Sequence, residues 1–347
     1  MNSSVMSSPP GLDMPALEQY FDSHIADRQG PLHATSIQGG RSNLTYHVTD
    51  GHTDWIVRRP PLGGLTPSAH DVGREYRVMS ALGRSEVAVP ETVAYCSDDR
   101  VIGAPFTVVS RIDGRVLRTR QDTGEFTPYQ LKQCADGLVA QLALLHSVPY
   151  RNIGLAEFGR PEGYVQRQIN RWREQWDLVA TRPLPSLHRL FRALEASVPS
   201  ESAAAVVHGD YRVDNVILHH YDLGQVLAVV DWEMATIGDP LADLGMFLAY
   251  RNPAVDALLD GPAATDPKFP TQLELAEHYA LLTGRDLTHL PFYLALAYFK
   301  IAVIAEGVYT RHLAGVTMDD SFAGAGASVI PLVQAGLRSL GRDGGAE

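Results

Sequence analysis

Apolar positions follow two periods along this chain, and the change from one to the other outlines its architecture. Residues 1 to about 12 carry no pattern and read as disordered. Leu17, Tyr20, Phe21 and Ile25 then recur at helical spacing and predict a short amphipathic helix. From His33 to Arg59 the period falls to two. ATSIQ, NLTYHVT and DWIVRR read as strands, with Gly39-Gly40 and Asp50-Gly51 as turns. After the Pro/Gly loop PPLGGLTPS, the spacing of Val72, Tyr76, Met79 and Leu82 predicts a helix from about Ser68 to Leu82. ETVAYC and APFTVVS supply two more strands, and Ile112-Asp113-Gly114 reads as a hinge. Beyond it the pattern is helical: FTPYQLKQCADGLVAQLALLHSV, with Thr127 as N-cap and Pro128 at the first helical position, then 161 to 180 and 186 to 197. Two short strands, VIL at 216 to 218 and VLAVV at 226 to 230, interrupt before helices fill 240 to 340. The order predicts an α+β protein in three parts. They are a tail and short helix (1–30), a small antiparallel sheet with one helix (31–113), and a larger, mainly helical part with a hairpin (114–347). No internal repeat is evident.

Composition narrows the class. At 347 residues, 45% hydrophobic and 20% charged, the chain can bury a large core. A net charge of −11 offers no general attraction for phosphate backbones, so nucleic acid is not an expected partner. Cys96 and Cys134 make neither a disulfide framework nor a metal cluster, consistent with a reducing compartment. The start MNSSVMSSPPG has no basic, then apolar, signal-peptide pattern. The apolar runs are broken by charge within a dozen or so residues, so the expectation is a cytoplasmic protein without a membrane partner.

The candidate chemistry lies in VVHGDYRVDNVILHHYDLGQVLAVVDWEMATIGDPLAD, residues 206–243. Asn215 follows Asp210 by five residues, and Asp231 stands sixteen beyond. A hairpin of the two strands places Asn215 at its entrance and Asp231 at its exit, with Asp210 on the loop before. Two hard oxygen ligands for a cation, plus a carboxylate free to take a hydroxyl proton, are what phosphoryl transfer from Mg²⁺-ATP requires. On that reading Asp210 is the catalytic base, and Asn215 and Asp231 hold Mg²⁺. The bland reading of Asp210 is a loop-capping residue. In GDPLADL, Asp239 before Pro240 is a helix start whose carboxylate accepts backbone N–H groups.

His-x-Asp-x-x-x-x-Asn followed by a strand-borne Asp resembles the catalytic and metal loops of the protein-kinase-like fold. HGDYRVDN with DWE and GDPLADL resembles the aminoglycoside phosphotransferase-like family of small-molecule kinases, and within it the kinase-like domain fused to some acyl-CoA dehydrogenases. The resemblance covers nearly the whole chain after residue 30. It implies a two-lobed fold with a small nucleotide-binding N-lobe and a larger, catalytic and acceptor-binding C-lobe. His208 then supports the catalytic loop through a backbone hydrogen bond, as does Asp239. Arg58, ending the strand WIVR, stands where the family usually has a phosphate-gripping lysine, and its implied partner is Glu75. Arg58 and Arg59 point to opposite faces of the strand, and the resemblance favours Arg58. A surface arginine is the plain alternative. Gly39, Gly40, Ser42 and Asn43 fit a phosphate-covering loop, although a glycine pair between strands is also an ordinary turn. Backbone groups from Ser110 to Ile112 are the implied adenine contacts.

The acceptor that the resemblance implies is a small-molecule hydroxyl compound. Between Arg160 and Arg192 seven arginines face three acids, a local charge of +4 in a chain of −11. Such a wall suits an anionic acceptor, such as a coenzyme A thioester, better than a polycationic aminoglycoside. The dehydrogenase-fused domains it resembles act on 4-hydroxyacyl-CoA compounds. Arg167, Arg171, Lys300 and Glu233 are the acceptor-side candidates. A solvated helix face is the alternative for the arginines, and core packing the alternative for Trp172 and Trp176. Lys300, Glu306 and Arg311 in an otherwise apolar helix must pair or line a pocket. Three rival functions remain: an aminoglycoside or aminoalcohol kinase, a non-catalytic nucleotide-binding scaffold, and a metallohydrolase using His208, Asp210 and Asp231.

Overall fold

The computed structural model describes residues 8–26, 28–37, 43–62, 71–200, 203–315 and 323–342. The chain divides into two compact units. Residues 1–113 and 228–233 form the first, and 114–227 and 234–347 the second. The segment 228–233 thus groups with the first unit, although the sequence reading assigned it to the C-terminal part.

In the first unit, α1 (Met14–His24), capped by Asp13, packs on a five-stranded antiparallel sheet. Its strands are β1 (His33–Ser36), β2 (Leu44–Thr49), β3 (Asp54–Arg59), β4 (Thr92–Cys96) and β5 (Phe106–Ser110), ordered β1-β2-β3-β5-β4. The two-residue alternation decides what is inside: Trp55, Val57 and Arg59 of β3 are buried, as are Tyr46 and Val48 of β2. Leu17 and Phe21 of α1 close that side of the core, the Phe21 ring edge-on to Trp55 with centroids 5.3 Å apart. Arg59 is accommodated there because it donates to the backbone carbonyls of Pro60 (3.2 Å), Ile102 (2.7 Å) and Gly11. Helix α2 (Val72–Leu82) begins at its cap Asp71, and its early turn carries Glu75.

The second unit is mainly helical. Helix α3 (Pro128–Ser147) opens with a capping box between Thr127 and Gln130. It is followed by α4 (Tyr164–Val179) and α5 (Pro185–Ala196). Then come β6 (Ala205–Val207), β7 (Val216–Leu218), β8 (Val226–Val229) and β9 (Thr236–Gly238). β6 pairs with β9 and β7 with β8; the last two residues of β8 belong to the first unit. The chain continues through α6 (Pro240–Ala249), a single turn α7 (Asp256–Leu259), α8 (Gln272–Thr283), α9 (Leu290–Leu313) and α10 (Ala325–Ser339). Within the stretch 240–340 that the pattern fills with helices, residues 250–271 hold only short turns and the single-turn α7. Pro253, Pro262 and Pro270 break the helical run, and Arg251 holds the turns by donating to the carbonyls of Ala264, Asp266, Phe269 and Pro270.

Helix α9 packs against α4, α5, α6 and α10. It is long and apolar enough to cross a membrane, yet 78% of its apolar window is buried inside the protein, as in a core helix. Trp172 and Trp176 of α4 are buried against this layer. Glu306, fully buried on α9, is satisfied by the Thr181 amide (3.0 Å), the Thr181 hydroxyl (2.5 Å) and Arg182 (3.3 Å). Arg311 is exposed. Gly245 lets α6 approach α9 closely, since a Cβ there would lie 2.7 Å from the Tyr293 carbonyl oxygen. That contact matters because α6 carries groups that hold the loop described next.

Candidate active site: a charged cluster and a braced loop

In the first unit, pairing of β3 with β2 and β5 sets Arg58 on the face opposite Arg59. Its guanidinium joins residues far apart in the chain. One Nη donates to Glu75 Oε2 at 2.9 Å, the other to Asp231 Oδ1 at 2.6 Å, with Glu233 Oε2 at 3.9 Å. Asn43 Nδ2 donates to the other Glu75 oxygen at 3.0 Å. Burial pushes the Glu75 carboxyl up to about 7; Arg58 opposes that, while Asp231 and Glu233 add to it. Burial works against the Arg58 charge as well, but the three carboxylates outweigh it and hold the guanidinium protonated. Asp231 sits at φ +67°, a left-handed conformation costly for a residue with a Cβ. A short turn at Trp232–Met234 follows, and the buried Trp232 indole donates to the Val229 carbonyl at 2.9 Å, fixing it.

The remaining nucleotide-side candidates have separate fates. Gly39, Gly40 and Ser42 lie outside the described residues. Asn43 is buried and joins the cluster through Glu75. The Ser110 amide donates to Glu91 O (2.8 Å) and that of Arg111 to Asp54 O (3.1 Å), so neither is open to a base while the strand edges stay paired. Ile112 is half-buried.

In the second unit, the loop from His208 to Asn215 is fastened on all sides. His208 is fully buried, and its Nδ1 accepts from the Asp210 amide at 3.3 Å. The carboxylate beneath is Asp243, on the first turn of α6, which accepts from the amides of His208 (2.6 Å) and Gly209 (2.8 Å). Its Oδ2 also faces His146 Nε2 at 3.3 Å, and the Tyr279 hydroxyl meets the other ring nitrogen at 2.7 Å. Burial alone would raise Asp243, but the bonds from His146 and the His208 amide prevail and hold it below the usual carboxylate range. Asp239, which the sequence reading placed in this role, instead caps α6 through the Leu241 amide (2.9 Å) and accepts from the Tyr293 hydroxyl (2.8 Å).

Lys300 supports the loop from α9. Its ammonium donates to the Gly209 carbonyl at 2.6 Å and lies 5.4 Å from the centre of the Trp172 ring. Burial lowers its pKa, with Asp210 and Asp243 opposing. That carbonyl bond makes Lys300 a brace for the loop. Arg167 likewise turns to the carbonyls of Glu162 and Arg160. Arg171 is exposed.

The Asp210 carboxylate at the centre of the loop is a quarter exposed. Oδ1 accepts from the Tyr250 hydroxyl at 2.8 Å, and Oδ2 from Arg212 Nε at 3.2 Å. Arg212 also pairs with Asp214 at 2.9 Å. Asn215 Nδ2 donates to the Asp210 carbonyl (2.9 Å) and to its Oδ2 (3.3 Å), and the Asn215 amide oxygen takes no part in these two bonds. That oxygen and the Asp231 carboxylate, whose side chain is about a third exposed, are hard donors of the kind Mg²⁺ takes. Among the described residues no group of three or more His, Cys, Asp or Glu side chains is arranged to hold a metal ion. Sequence reasoning missed Asp243, Tyr250, Arg212 and His146. For Asp243 a signal existed: a lone acid within the apolar run PLADLGMFLA must be buried, and hence paired.

The Phosphotransferase enzyme family model matches residues 33–271. Acyl-CoA dehydrogenase family member 11 of Homo sapiens is 35% identical over 336 residues, covering 94% of this chain and 43% of that protein. The chain therefore spans less than half the length of that relative. A crystal structure from Ralstonia eutropha, of a protein named for the aminoglycoside phosphotransferases, is 32% identical with a TM-score of 0.83, covering 95% of this chain and 98% of the other. Spectinomycin phosphotransferase, solved with ADP and spectinomycin, shares the fold at a TM-score of 0.60 and 14% identity, over 95% and 99% of the two chains.

Proposed function

We propose, from the premise that this chain belongs to the Phosphotransferase enzyme family, that it moves the γ-phosphoryl group of ATP to a hydroxyl of an anionic small molecule of the hydroxyacyl-CoA type. The observation that carries the nucleotide half is Arg58 bridging Glu75 and Asp231. A guanidinium held by carboxylates on one strand face is placed to exchange one of them for phosphate oxygens, bidentately. Asp231 and Asn215 would hold Mg²⁺, which supplies charge neutralisation for the triphosphate.

Asp210 takes the acceptor proton. The hydroxyl oxygen forms a bond to the γ-phosphorus, the bond from that phosphorus to the β,γ-bridging oxygen breaks, and ADP leaves with that electron pair. The proton passes to Asp210 and then to solvent. Asp210 is supported in this role by its fixed carboxylate in a loop pinned by Asp243 and Lys300.

For the acceptor, the positive segment 160–192 favours an anion. Part of that charge is internally matched, Arg173 by Asp177 and Arg182 by Glu306, leaving Arg171 as the exposed acceptor-side candidate. Asp210→Ala tests the reading, with Mg²⁺-ATP and 4-hydroxybutanoyl-CoA as substrates. Transfer should fall by about 10²–10⁴-fold while ATP affinity stays nearly unchanged. An undiminished rate would refute the role of Asp210. ATP binding without transfer to the CoA ester, kanamycin or choline in the unaltered protein would favour the scaffold. Transfer to kanamycin alone would reassign the acceptor.

A further inference from the structure

The loop residues described so far come from one stretch of sequence, but the group closest to the Asp210 carboxylate does not. Tyr250 ends α6, the helix whose first turn carries Asp243. Its hydroxyl lies 2.8 Å from Asp210 Oδ1, and its ring lies 5.3 Å from the Arg212 guanidinium carbon. Arg212 in turn reaches Asp210 Oδ2 and Asp214. One rigid helix therefore fastens the loop at both ends, its amides through Asp243 and its reacting side chain through Tyr250.

We propose that Tyr250 is a positioning residue for phosphoryl transfer, setting the rotamer of Asp210 directly and the plane of Arg212 through its ring. This rests on Asp210 being the base. An aspartate side chain has two soft torsions, and in a loop it would sample several orientations. With Oδ2 taken by Arg212 and Asn215 and one lone pair of Oδ1 by Tyr250, a single orientation leaves the other Oδ1 lone pair aimed consistently, which is the condition for an oriented proton acceptor. The Tyr250 hydroxyl is a donor and does not compete for the proton: burial, and Asp210 beside it, hold its own ionisation well above the ordinary range. Helix α6 suits the task because Gly245 seats it against α9 and Asp239 caps its start.

Tyr250→Phe keeps the ring and deletes the hydroxyl. With Mg²⁺-ATP and 4-hydroxybutanoyl-CoA, or with water as acceptor through ATP hydrolysis, kcat should fall about 10- to 100-fold. KM for ATP and the melting temperature should stay close to those of the unaltered protein. Tyr250→Leu, which also removes the bed for Arg212, should fall further. In an Asp210→Asn background Tyr250→Phe should cost nothing more, because its effect passes through the carboxylate. An unchanged or raised kcat in an active protein would sink the inference and leave the kinase reading standing. So would losses in KM, stability and kcat together, or an equal loss on top of Asp210→Asn. No turnover of either acceptor by the unaltered protein would remove both.

Discussion

The Arg58 cluster of the first unit and the 208–215 loop of the second are both built from buried and half-buried polar groups, but they are satisfied in opposite ways. Around Arg58 the partners are side chains: one cation among Glu75, Asp231 and Glu233, with charge balanced against charge. Around the loop they are largely backbone: Asp243 takes two amides, Lys300 a carbonyl and His208 an amide. Side-chain ion pairs can be exchanged for ligand phosphates at little structural cost. A backbone amide gripped by a buried carboxylate has no ligand to replace it. The first arrangement suits a binding surface that rearranges with its ligand, the second a reacting group that must not move.

That contrast can be broken most forcefully at Asp243. Replacing it with alanine leaves two buried amides and His146 without their acceptor and should destabilise the protein by about 3–5 kcal/mol, with transfer lost. Urea unfolding followed by circular dichroism would measure it, and a loss below about 1 kcal/mol would mean the loop does not depend on this carboxylate.

Arg58→Ala should be milder and pH-dependent. Without its cation, Glu75 remains buried beside Asp231 and Glu233, so about 1–3 kcal/mol should be lost at pH 8. Less should be lost at pH 5, where Glu75 takes a proton. Affinity for ATP should weaken along with it. Equal losses at both pH values would show that Glu75 does not titrate with the cluster.

Smaller still is the effect of Glu75→Gln. The native value near 7 lies above the ordinary glutamate value, so the folded state holds the extra proton over that interval. The Glu75 contribution to stability is therefore most favourable below about pH 4.5 and declines as pH rises through 7. Glu75→Gln should flatten the loss of stability between pH 5 and 8, by on the order of 1–2 kcal/mol. Parallel curves for the two proteins would remove the titration from the account.

Much of this was legible in the chain itself. The period-two runs around Tyr46, Val48, Trp55 and Val57 and the helical runs of α1, α2 and α3 follow from the alternation and spacing of apolar residues, and Thr127 and Asp239 announced their helix starts. Sequence alone separates Arg58 from Arg59 only through resemblance; in the structure Arg59 turns inward to three carbonyls. Local sequence carries such information because propensity, capping and period act over a few residues.

Tertiary structure alone decided which polar groups meet across long separations. Asp243 rather than Asp239 holds the loop, Lys300 reaches Gly209 across 91 positions, and Tyr250 reaches Asp210 across 40. No local pattern encodes these pairs. Each polar group reads alike in isolation, and its partner is selected only when burial makes an unpaired charge or amide too costly to keep.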